Sequence, residues 1–197
     1  LDKQKINELS MMLSNAERLQ KLINQLIDLS KIEEGGMMLD FKQHDIVRET
    51  QNILRDFEYK AMEQQVSLGF SSYHSACLGY YDNNALDKIL FNLLSNALKY
   101  TPENGSIKIK LFIERDEQKK PKTATFVVAD SGMGIEQSVL EKIFVRYFYK
   151  KSTHDWDRSD GIGLSLVKKL IAMHGGTIKV KSKPGRGTSV VFSLPVS

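Results

Sequence analysis

Apolar side chains recur every three or four positions through the first 34 residues, the spacing of one long helix. Gly35-Gly36 follows as its stop. At 1.5 Å per residue this helix is about 50 Å long, so we expect its stripe to face a partner helix rather than the core of the same domain. The stripe consists of Leu9, Met12, Ala16, Leu19, Ile23 and Leu26, widened by Leu13, Leu22, Ile27 and Leu29.

The rest of the chain alternates between helical and strand patterns. Helical spacing covers 46–63, 84–100 and 161–174, with Asp45 and either Asn83 or Asn84 as predicted N-caps. Alternating or short apolar segments predict strands at 37–41, 66–70, 78–81, 106–114, 123–129, 177–181 and 188–194. The pattern therefore predicts an α+β layered domain with most of its strands late in the chain.

Composition narrows the classes of function. The 197 residues include 28 Lys and Arg against 24 Asp and Glu, a net charge of +4, but the charges are interleaved, so we expect no nucleic-acid face. No apolar run reaches the roughly 18–20 residues of a membrane helix, so we expect no membrane segment. Cys77 is the only cysteine, which excludes an internal disulfide and a cysteine-based zinc site.

The third predicted helix carries the first candidate site. Asn92, Asn96, Lys99 and Tyr100 follow the spacing i, i+4, i+7 and i+8, which forms a polar stripe. Asparagine is a poor helix former, so two asparagines one turn apart indicate a function. An amide oxygen suits Mg²⁺, and a lysine one turn later suits phosphate. A solvated helix face is the alternative.

Two glycine-containing turns carry the other candidate sites. In Asp130-Ser131-Gly132-Met133-Gly134-Ile135, a carboxylate at a strand end can accept a hydrogen bond from a base, and the glycines allow a ligand to approach. In Asp160-Gly161-Ile162-Gly163-Leu164, glycines open a helix whose N–H groups can bind phosphate. The alternatives are an ordinary Asp-Ser-Gly turn and a flexible lead-in to a capped helix.

Taken together and in this order, these segments resemble the catalytic domain of sensor histidine kinases in the GHKL ATPase superfamily. Residues 92–102 resemble the N box, 130–134 the G1 box, Phe144 and Phe148 the F box, 161–164 the G2 box, and 185–188 a G3-type turn. Residues 26–33 resemble the end of the second helix of the dimerisation and phosphoacceptor hairpin. The resemblance implies a Bergerat α/β sandwich over 37–197, preceded by an incomplete dimerisation region at 1–36.

The resemblance also implies roles for individual residues. Asn96, with Asn92 beside it, would bind Mg²⁺, and Asp130 would accept from the adenine amine. The implied ATP-binding set is Asn92, Asn96, Lys99, Tyr100, Asp130, Gly132, Gly134, Ile135, Phe148, Lys150, Gly161, Gly163, Leu164 and Thr188. Two positions depart from the family pattern. Ser165 replaces a common glycine, and Tyr149 stands where many members have arginine, so either Lys150 or Lys151 substitutes or the contact is absent.

The activity implied is γ-phosphoryl transfer from Mg·ATP to a histidine, as the cytoplasmic part of a membrane-bound sensor. The implied partners are a second copy, through the N-terminal helix, and a response regulator. No residue is a candidate base or nucleophile. None of the four histidines, His44, His74, His154 and His174, matches the acceptor position, so we expect the acceptor upstream of Leu1 and no autophosphorylation by this chain.

Two rival functions stay open. GHKL ATPases of the chaperone, gyrase or mismatch-repair kind use a glutamate where Asn92 stands, and an amide cannot take a proton at neutral pH, so Asn92 favours a kinase. A pseudokinase that acts through its N-terminal helix is the second rival. In all of these cases we expect the nucleotide site to consist wholly of residues after Asp82.

Overall fold

A computed structural model describes residues 3–146, 148 and 161–197 of the chain. It begins with the long helix α1 (Lys3–Glu33), which the apolar stripe predicted. Within the described residues, no helix combines the length and the apolar character needed to cross a membrane.

The elements after α1 form two sheets and a helical layer. They are β1 (Lys42–Asp45), α2 (Ile46–Glu63), β2 (Ser67–Ser72), β3 (Leu78–Tyr81), α3 (Asn83–Tyr100), β4 (Ser106–Arg115), β5 (Pro121–Asp130), α4 (Gln137–Leu140), α5 (Gly163–Met173), β6 (Thr177–Ser182) and β7 (Thr188–Pro195). The five-stranded sheet has the order β2-β4-β5-β7-β6, with β2 parallel to β4 and the other pairs antiparallel. β1 and β3 form a separate antiparallel pair. This mixed sheet packed on helices confirms the predicted α+β fold.

One face of the sheet is covered by α2, α3 and α5. Alternate residues of β4 point into this core, where Ile107, Ile109 and Leu111 are buried, while Lys108 and Lys110 on the opposite face are exposed. The rings of Phe126 and Phe192 stack across β5 and β7 with centroids 4.7 Å apart. α3 supplies the densest apolar surface, through Ala85, Leu86, Ile89, Leu90, Leu93, Leu94, Ala97 and Leu98.

The strand predicted at 37–41 is wrong, because the strand lies at Lys42–Asp45 instead. Met37 and Leu39 alternate because both pack partly against the core from a segment without regular structure. The N–H of Asp40 donates to Oδ2 of Asp82 at 2.8 Å, which anchors this segment without a strand partner. The apolar alternation therefore reflects packing of a connecting segment.

The predicted cap of α3 is also wrong. Asp82, rather than Asn83 or Asn84, is the N-cap, and its Oδ1 accepts from the N–H of Ala85 at 2.9 Å. A carboxylate at the end of β3 can bind the unpaired N–H groups of the first turn, so the helix begins one residue earlier than an asparagine cap would allow. Asp45 caps α2 as predicted, accepting from Val47 and Arg48.

Helix α1 divides into an exposed half and a packed half. Leu9, Met12, Leu19 and Ile23 are 47–66% exposed, as expected for a stripe that needs a partner. From Leu22 onward one face of the helix packs on the domain: Leu29 is fully buried, and Leu22, Leu26 and Ile32 pack partly against the core, while Ile27 stays 46% exposed. For this second half, the less favoured alternative, a helix packed on its own domain, is the correct one.

Candidate functional site

Helix α3 connects the two ends of the candidate site. Asn92, the first N-box residue, is buried, Asn96 is half-buried, and Lys99 and Tyr100 are exposed. The eight steps from Asn92 to Tyr100 rise about 12 Å along the helix axis. Lys99 Nζ lies 5.4 Å from the centroid of the Tyr100 ring. The helix therefore places Asn92 at one end of the site, the aromatic ring at the other and Asn96 midway between them.

The turn after β5 lies against the C-terminal end of α3. The N–H of Met133 donates to the carbonyl oxygen of Tyr100 at 3.2 Å. Oδ1 of Asp130 accepts from the N–H of Gly132 at 2.8 Å and from the N–H of Thr188 at 3.2 Å. Oδ2 accepts no hydrogen bond from the described part of the chain. One carboxylate oxygen is thus held in place by the backbone, and the other is available to an amino group.

Burial raises the pKa of Asp130 above its ordinary value of 3.8, and the N–H groups of Gly132 and Thr188 oppose that shift. Burial disfavours the charged form, while each N–H donor favours it. A carboxylate in this position loses hydration, so a hydrogen bond from a ligand's amino group is worth more to it than the same bond at an exposed site.

The two glycines of this turn are required by the protein's own backbone. A Cβ on Gly132 would lie 2.4 Å from the carbonyl oxygen of Tyr100. Gly134 has a φ of +70°, and a Cβ there would lie 2.1 Å from the carbonyl oxygen of Lys183. The sequence pattern indicated glycines that admit a ligand. In the structure, these glycines admit neighbouring main chain instead.

A serine that the sequence analysis did not select joins the turn to the last hairpin. Ser182 Oγ accepts from the N–H of Ile135 at 2.8 Å, donates to the carbonyl oxygen of Gly187 at 2.9 Å, and lies 2.9 Å from Oγ1 of Thr188. The predicted residues Ile135 and Thr188 therefore hold the turn in place, while Asp130 presents its carboxylate. A single serine at the end of a strand gave no local signal of this role.

The other end of the site is the start of α5. This helix begins at Gly163, and its N-cap residue, Ile162, makes no side-chain capping hydrogen bond. The N–H groups of a first helical turn have no partners within the helix and attract anions. Gly161, just before it, has a φ of +63°. Leu164 packs partly against the core, which makes it a packing residue at this position.

Asn92 lies directly beside the start of α5. A Cβ on Gly163 would lie 2.5 Å from Oδ1 of Asn92, so only glycine permits this approach. Nδ2 of Asn92 donates to the carbonyl oxygen of Lys88 at 2.7 Å, which directs Oδ1 away from its own helix. The structure thereby brings the N-box amide and the G2 glycine together, as the predicted site requires.

Oδ1 of Asn92 also accepts a hydrogen bond of 2.7 Å from Nε2 of Gln25 on α1. The expectation that the site consists wholly of residues after Asp82 is therefore wrong for this amide. Both side chains are buried, at 9% exposed for Gln25 and 7% for Asn92. The signal for Gln25 in the sequence was a polar residue on the packed side of α1, beside Leu22, Leu26 and Leu29.

The donor chemistry of the two amides fits Mg²⁺ in the presence of phosphate. Asn92 and Asn96 offer amide oxygens, which are hard ligands. Among the described residues, no cluster of three or more His, Cys, Asp or Glu side chains could hold a metal on its own. Mg²⁺ commonly takes a few protein oxygens and fills its remaining positions with phosphate oxygens and water, so a triphosphate would complete this set.

Two predicted residues belong to the segment before α5. Phe148 is half-buried, and its N–H donates to the carbonyl oxygen of Val145 at 3.2 Å. Lys150 lies outside the described residues, as do Tyr149 and Lys151.

Comparison with known proteins agrees with this geometry. Residues 81–197 match the family described as histidine kinase-, DNA gyrase B-, and HSP90-like ATPase. The sensor histidine kinase TmoS of Ectopseudomonas mendocina is 32% identical over 184 residues, which cover 93% of this chain and 18% of TmoS. Across the first three curated relatives, the match covers 13 to 23% of the relative's length.

Solved structures give the same result. The catalytic domain of histidine kinase ThkA superposes with a TM-score of 0.68 at 26% identity, over 80% of this chain and 97% of that one. The histidine kinase ThkA in complex with the response regulator protein TrrA gives a TM-score of 0.68 at 25% identity, over 99% of this chain and 51% of that one. The sequence resemblance is confirmed: the chain belongs to the family of histidine kinase-, DNA gyrase B- and HSP90-like ATPases, on its histidine kinase branch.

Proposed function

We propose that this chain binds Mg·ATP and holds the γ-phosphoryl group for transfer to a histidine. One observation carries the proposal. Helix α3 joins a turn that presents the Asp130 carboxylate at one end to the start of α5 beside Asn92 at the other. Adenine has an exocyclic amine that can donate to a carboxylate, whereas guanine has a carbonyl oxygen at that position, so the turn favours adenine.

Phosphoryl transfer needs positioning and charge neutralisation more than covalent chemistry from the protein. In the proposed complex, the first-turn N–H groups of α5 bind phosphate oxygens, and Lys99 supplies a positive charge. Asn96 and Asn92 would hold Mg²⁺, which neutralises phosphate charge when it is bound. Tyr100, at the end of α3, would line the nucleotide. None of these side chains is a base or a nucleophile.

Two of the three described histidines, His174 and His44, make contacts through their rings. His174 is 5% exposed, its Nδ1 lies 2.9 Å from the carbonyl oxygen of Leu170, and its Nε2 accepts from the N–H of Asp82 at 3.4 Å. The ring of His44 lies against Tyr81, with centroids 5.6 Å apart. We therefore place the acceptor on another polypeptide or segment and expect no autophosphorylation by these residues.

The parent protein that we propose is a dimeric sensor kinase. Residues 1–36 would belong to its dimerisation region and 37–197 to its catalytic domain, with this portion in the cytoplasm. The exposed apolar half of α1 supports contact with a second copy. The similarity to ThkA, whose structure includes the response regulator TrrA, supports a response regulator as the phosphoryl recipient.

Both rivals make distinct predictions. A hydrolytic GHKL ATPase would release phosphate continuously, yet Asn92 cannot act as the base that activates water. A pseudokinase that has lost its site would bind no nucleotide. The intact junction between Asn92 and Gly163 argues against that loss.

The test is a calorimetric titration with a non-hydrolysable ATP analogue, with Mg²⁺ and with a chelator. We expect Asn96→Ala to reduce the affinity gained from Mg²⁺ by about tenfold and to leave metal-free binding nearly unchanged. The matched control is Asn84→Ala on the exposed first turn of the same helix. Equal losses with and without Mg²⁺ would remove the metal role of Asn96, and sustained phosphate release from ATP would favour the hydrolytic rival.

A further inference from the structure

The contact between Gln25 and Asn92 crosses from α1 to the predicted metal-binding amide. Nε2 of Gln25 lies 2.7 Å from Oδ1 of Asn92, and both side chains are at least nine-tenths buried. The other end of the Asn92 amide is fixed, because its Nδ2 donates to the carbonyl oxygen of Lys88 at 2.7 Å. The orientation of Asn92 therefore requires Gln25 to present a donor.

Gln25 occupies part of the space around Oδ1 of Asn92 that a metal ion would need. An amide oxygen has two lone pairs, and the hydrogen bond from Gln25 occupies one of them. Mg²⁺ needs a bond of about 2.0–2.1 Å and an octahedral shell that usually includes water. The side chain of Gln25 therefore lies where part of that shell would form.

Charged contacts reinforce the same docking of α1. Lys88, whose carbonyl group holds Asn92, pairs through Nζ with Oδ2 of Asp28 at 2.6 Å. At the end of α1, Glu33 pairs with Lys169 of α5 at 3.0 Å and with Arg146 at 3.1 Å. Polar contacts from α1 thus reach α3, α5 and Arg146, which lies between the F-box residues Phe144 and Phe148.

A groove of about 350 Å³, partly open to solvent, lies beside the ion pairs of Glu33, and its lining includes Leu29, Phe144 and Ala172. Solvent therefore reaches this part of the junction between α1 and α5.

We infer that the side-chain amide of Gln25 competes with Mg²⁺ for Oδ1 of Asn92, so that binding of metal and nucleotide releases this contact between α1 and α3. The inference rests on the proposed function, because it needs a nucleotide-bound Mg²⁺ at Asn92. Gln25 acts as a competitor in this scheme, so the affinity for Mg²⁺ depends on whether α1 is docked against α3. The docking of α1, a helix of the proposed dimerisation region, is thereby coupled to the binding of Mg²⁺ and nucleotide by the catalytic domain.

Calorimetry with a non-hydrolysable ATP analogue tests the competition. Gln25→Leu preserves the approximate size of the side chain and removes its donor. We expect this variant to increase the affinity gained from Mg²⁺ by about 3- to 10-fold over the native chain, with metal-free affinity unchanged. Gln20→Leu, at an exposed position on the same helix, is the matched control and should behave as the native chain.

Nuclear magnetic resonance of the ¹⁵N-labelled chain gives a readout independent of affinity. The side-chain amide signal of Gln25, identified by its loss in Gln25→Leu, should shift when the analogue and Mg²⁺ are added together and stay in place with the analogue and a chelator. The competition is overturned if Gln25→Leu gains the same affinity from Mg²⁺ as the native chain does, or if the Gln25 amide signal does not move when the analogue and Mg²⁺ are added. A smaller affinity gain from Mg²⁺ in Gln25→Leu also overturns the competition, because Gln25 would then orient Asn92 toward the metal. Absence of analogue binding by every chain would instead refute the proposed function.

Discussion

The N–H of Thr188 donates a hydrogen bond of 3.2 Å to Oδ1 of Asp130, its register partner across β5 and β7. The N–H of Gly132 donates to the same oxygen at 2.8 Å. Both backbone donors act on one carboxylate oxygen, so the other can face a ligand. The central residue of the proposed adenine site is therefore oriented by main-chain groups that side-chain substitutions leave in place.

Asp130→Asn should weaken ATP binding by about 10- to 100-fold. Its Oδ1 can still accept from Gly132 and Thr188, but its NH₂ group then faces the amino group of adenine, which leaves two donors opposed. Calorimetry on the purified variant measures the loss. Thermal unfolding in the absence of nucleotide is the control, and it should show no loss of stability at neutral pH, because the variant removes a half-buried charge and keeps the oxygen that accepts from Gly132 and Thr188. Unchanged ATP affinity would show that Asp130 does not contact the base.

Acidification should narrow the difference in ATP affinity between the native chain and Asp130→Asn. Burial raises the pKa of Asp130, so its carboxylate becomes protonated at a higher pH than the ordinary value of 3.8. A protonated oxygen can present a donor to the amino group of adenine, as the asparagine does. Titrations of both chains between about pH 7 and about pH 4 measure the ratio of affinities. A constant ratio would show that protonation of Asp130 does not affect binding of the base.

The raised pKa of Asp130 also predicts how stability depends on pH: acidification weakens ATP binding by the native chain but stabilises its fold. A carboxyl whose folded-state pKa is raised contributes stability that is fully present below its unfolded pKa and is lost as pH rises through the folded value. The free energy of unfolding of the native chain should therefore rise relative to that of Asp130→Asn as the pH falls and the Asp130 carboxylate becomes protonated. Urea unfolding of both chains at matched pH values measures the difference.

Gly163→Ala should lower the free energy of unfolding by about 1–3 kcal/mol and weaken nucleotide binding. The added Cβ would lie 2.5 Å from Oδ1 of Asn92, so either α5 or the amide must move. The control is Gly69→Ala, because a Cβ on Gly69 meets nothing within 4 Å. If Gly163→Ala matched its control in both measurements, the close approach of α5 to Asn92 would be wrong.

Changing both Leu19 and Ile23 to Lys should reduce self-association and leave ATP binding intact. These side chains are 58% and 47% exposed on α1, so they are available to a second copy, and burying each contributes about 1.5–3 kcal/mol to association. Sedimentation over a concentration range measures self-association, with Met38→Lys, at an exposed residue outside α1, as the control. A native chain that stays monomeric at every concentration would refute association through α1.

The sequence predicted the long elements of this fold because their apolar spacing and their burial coincide. Helical spacing predicted a helix over 84–100, and the structure has α3 at Asn83–Tyr100 with its apolar face buried. The alternation at Met37 and Leu39 gave a false strand, because a segment that packs on the core buries alternate residues without a strand partner. The spacing of apolar residues therefore indicates which positions are buried, but it does not show whether they lie in a strand or in an irregular segment.

The site was predictable where its residues are neighbours in sequence. The spacing of Asn92 and Asn96, and the order of Asp130, Gly132 and Gly134, follow directly from the chain. The contact between Gln25 and Asn92 joins residues 67 positions apart, and its geometry depends on how α1 packs, so the local signal of a polar residue among apolar ones does not identify its partner. Ser182 was missed for the same reason, because its partners come together only when the turn after β5 meets the last hairpin.

The most direct test of the account is a calorimetric comparison of ATP and GTP binding to the native chain in the presence of Mg²⁺. ATP should bind about 10- to 100-fold more tightly than GTP, because adenine carries an amine that can donate to Asp130 at the position where guanine carries a carbonyl oxygen. Equal affinities for the two nucleotides, or the absence of binding by either, would contradict it.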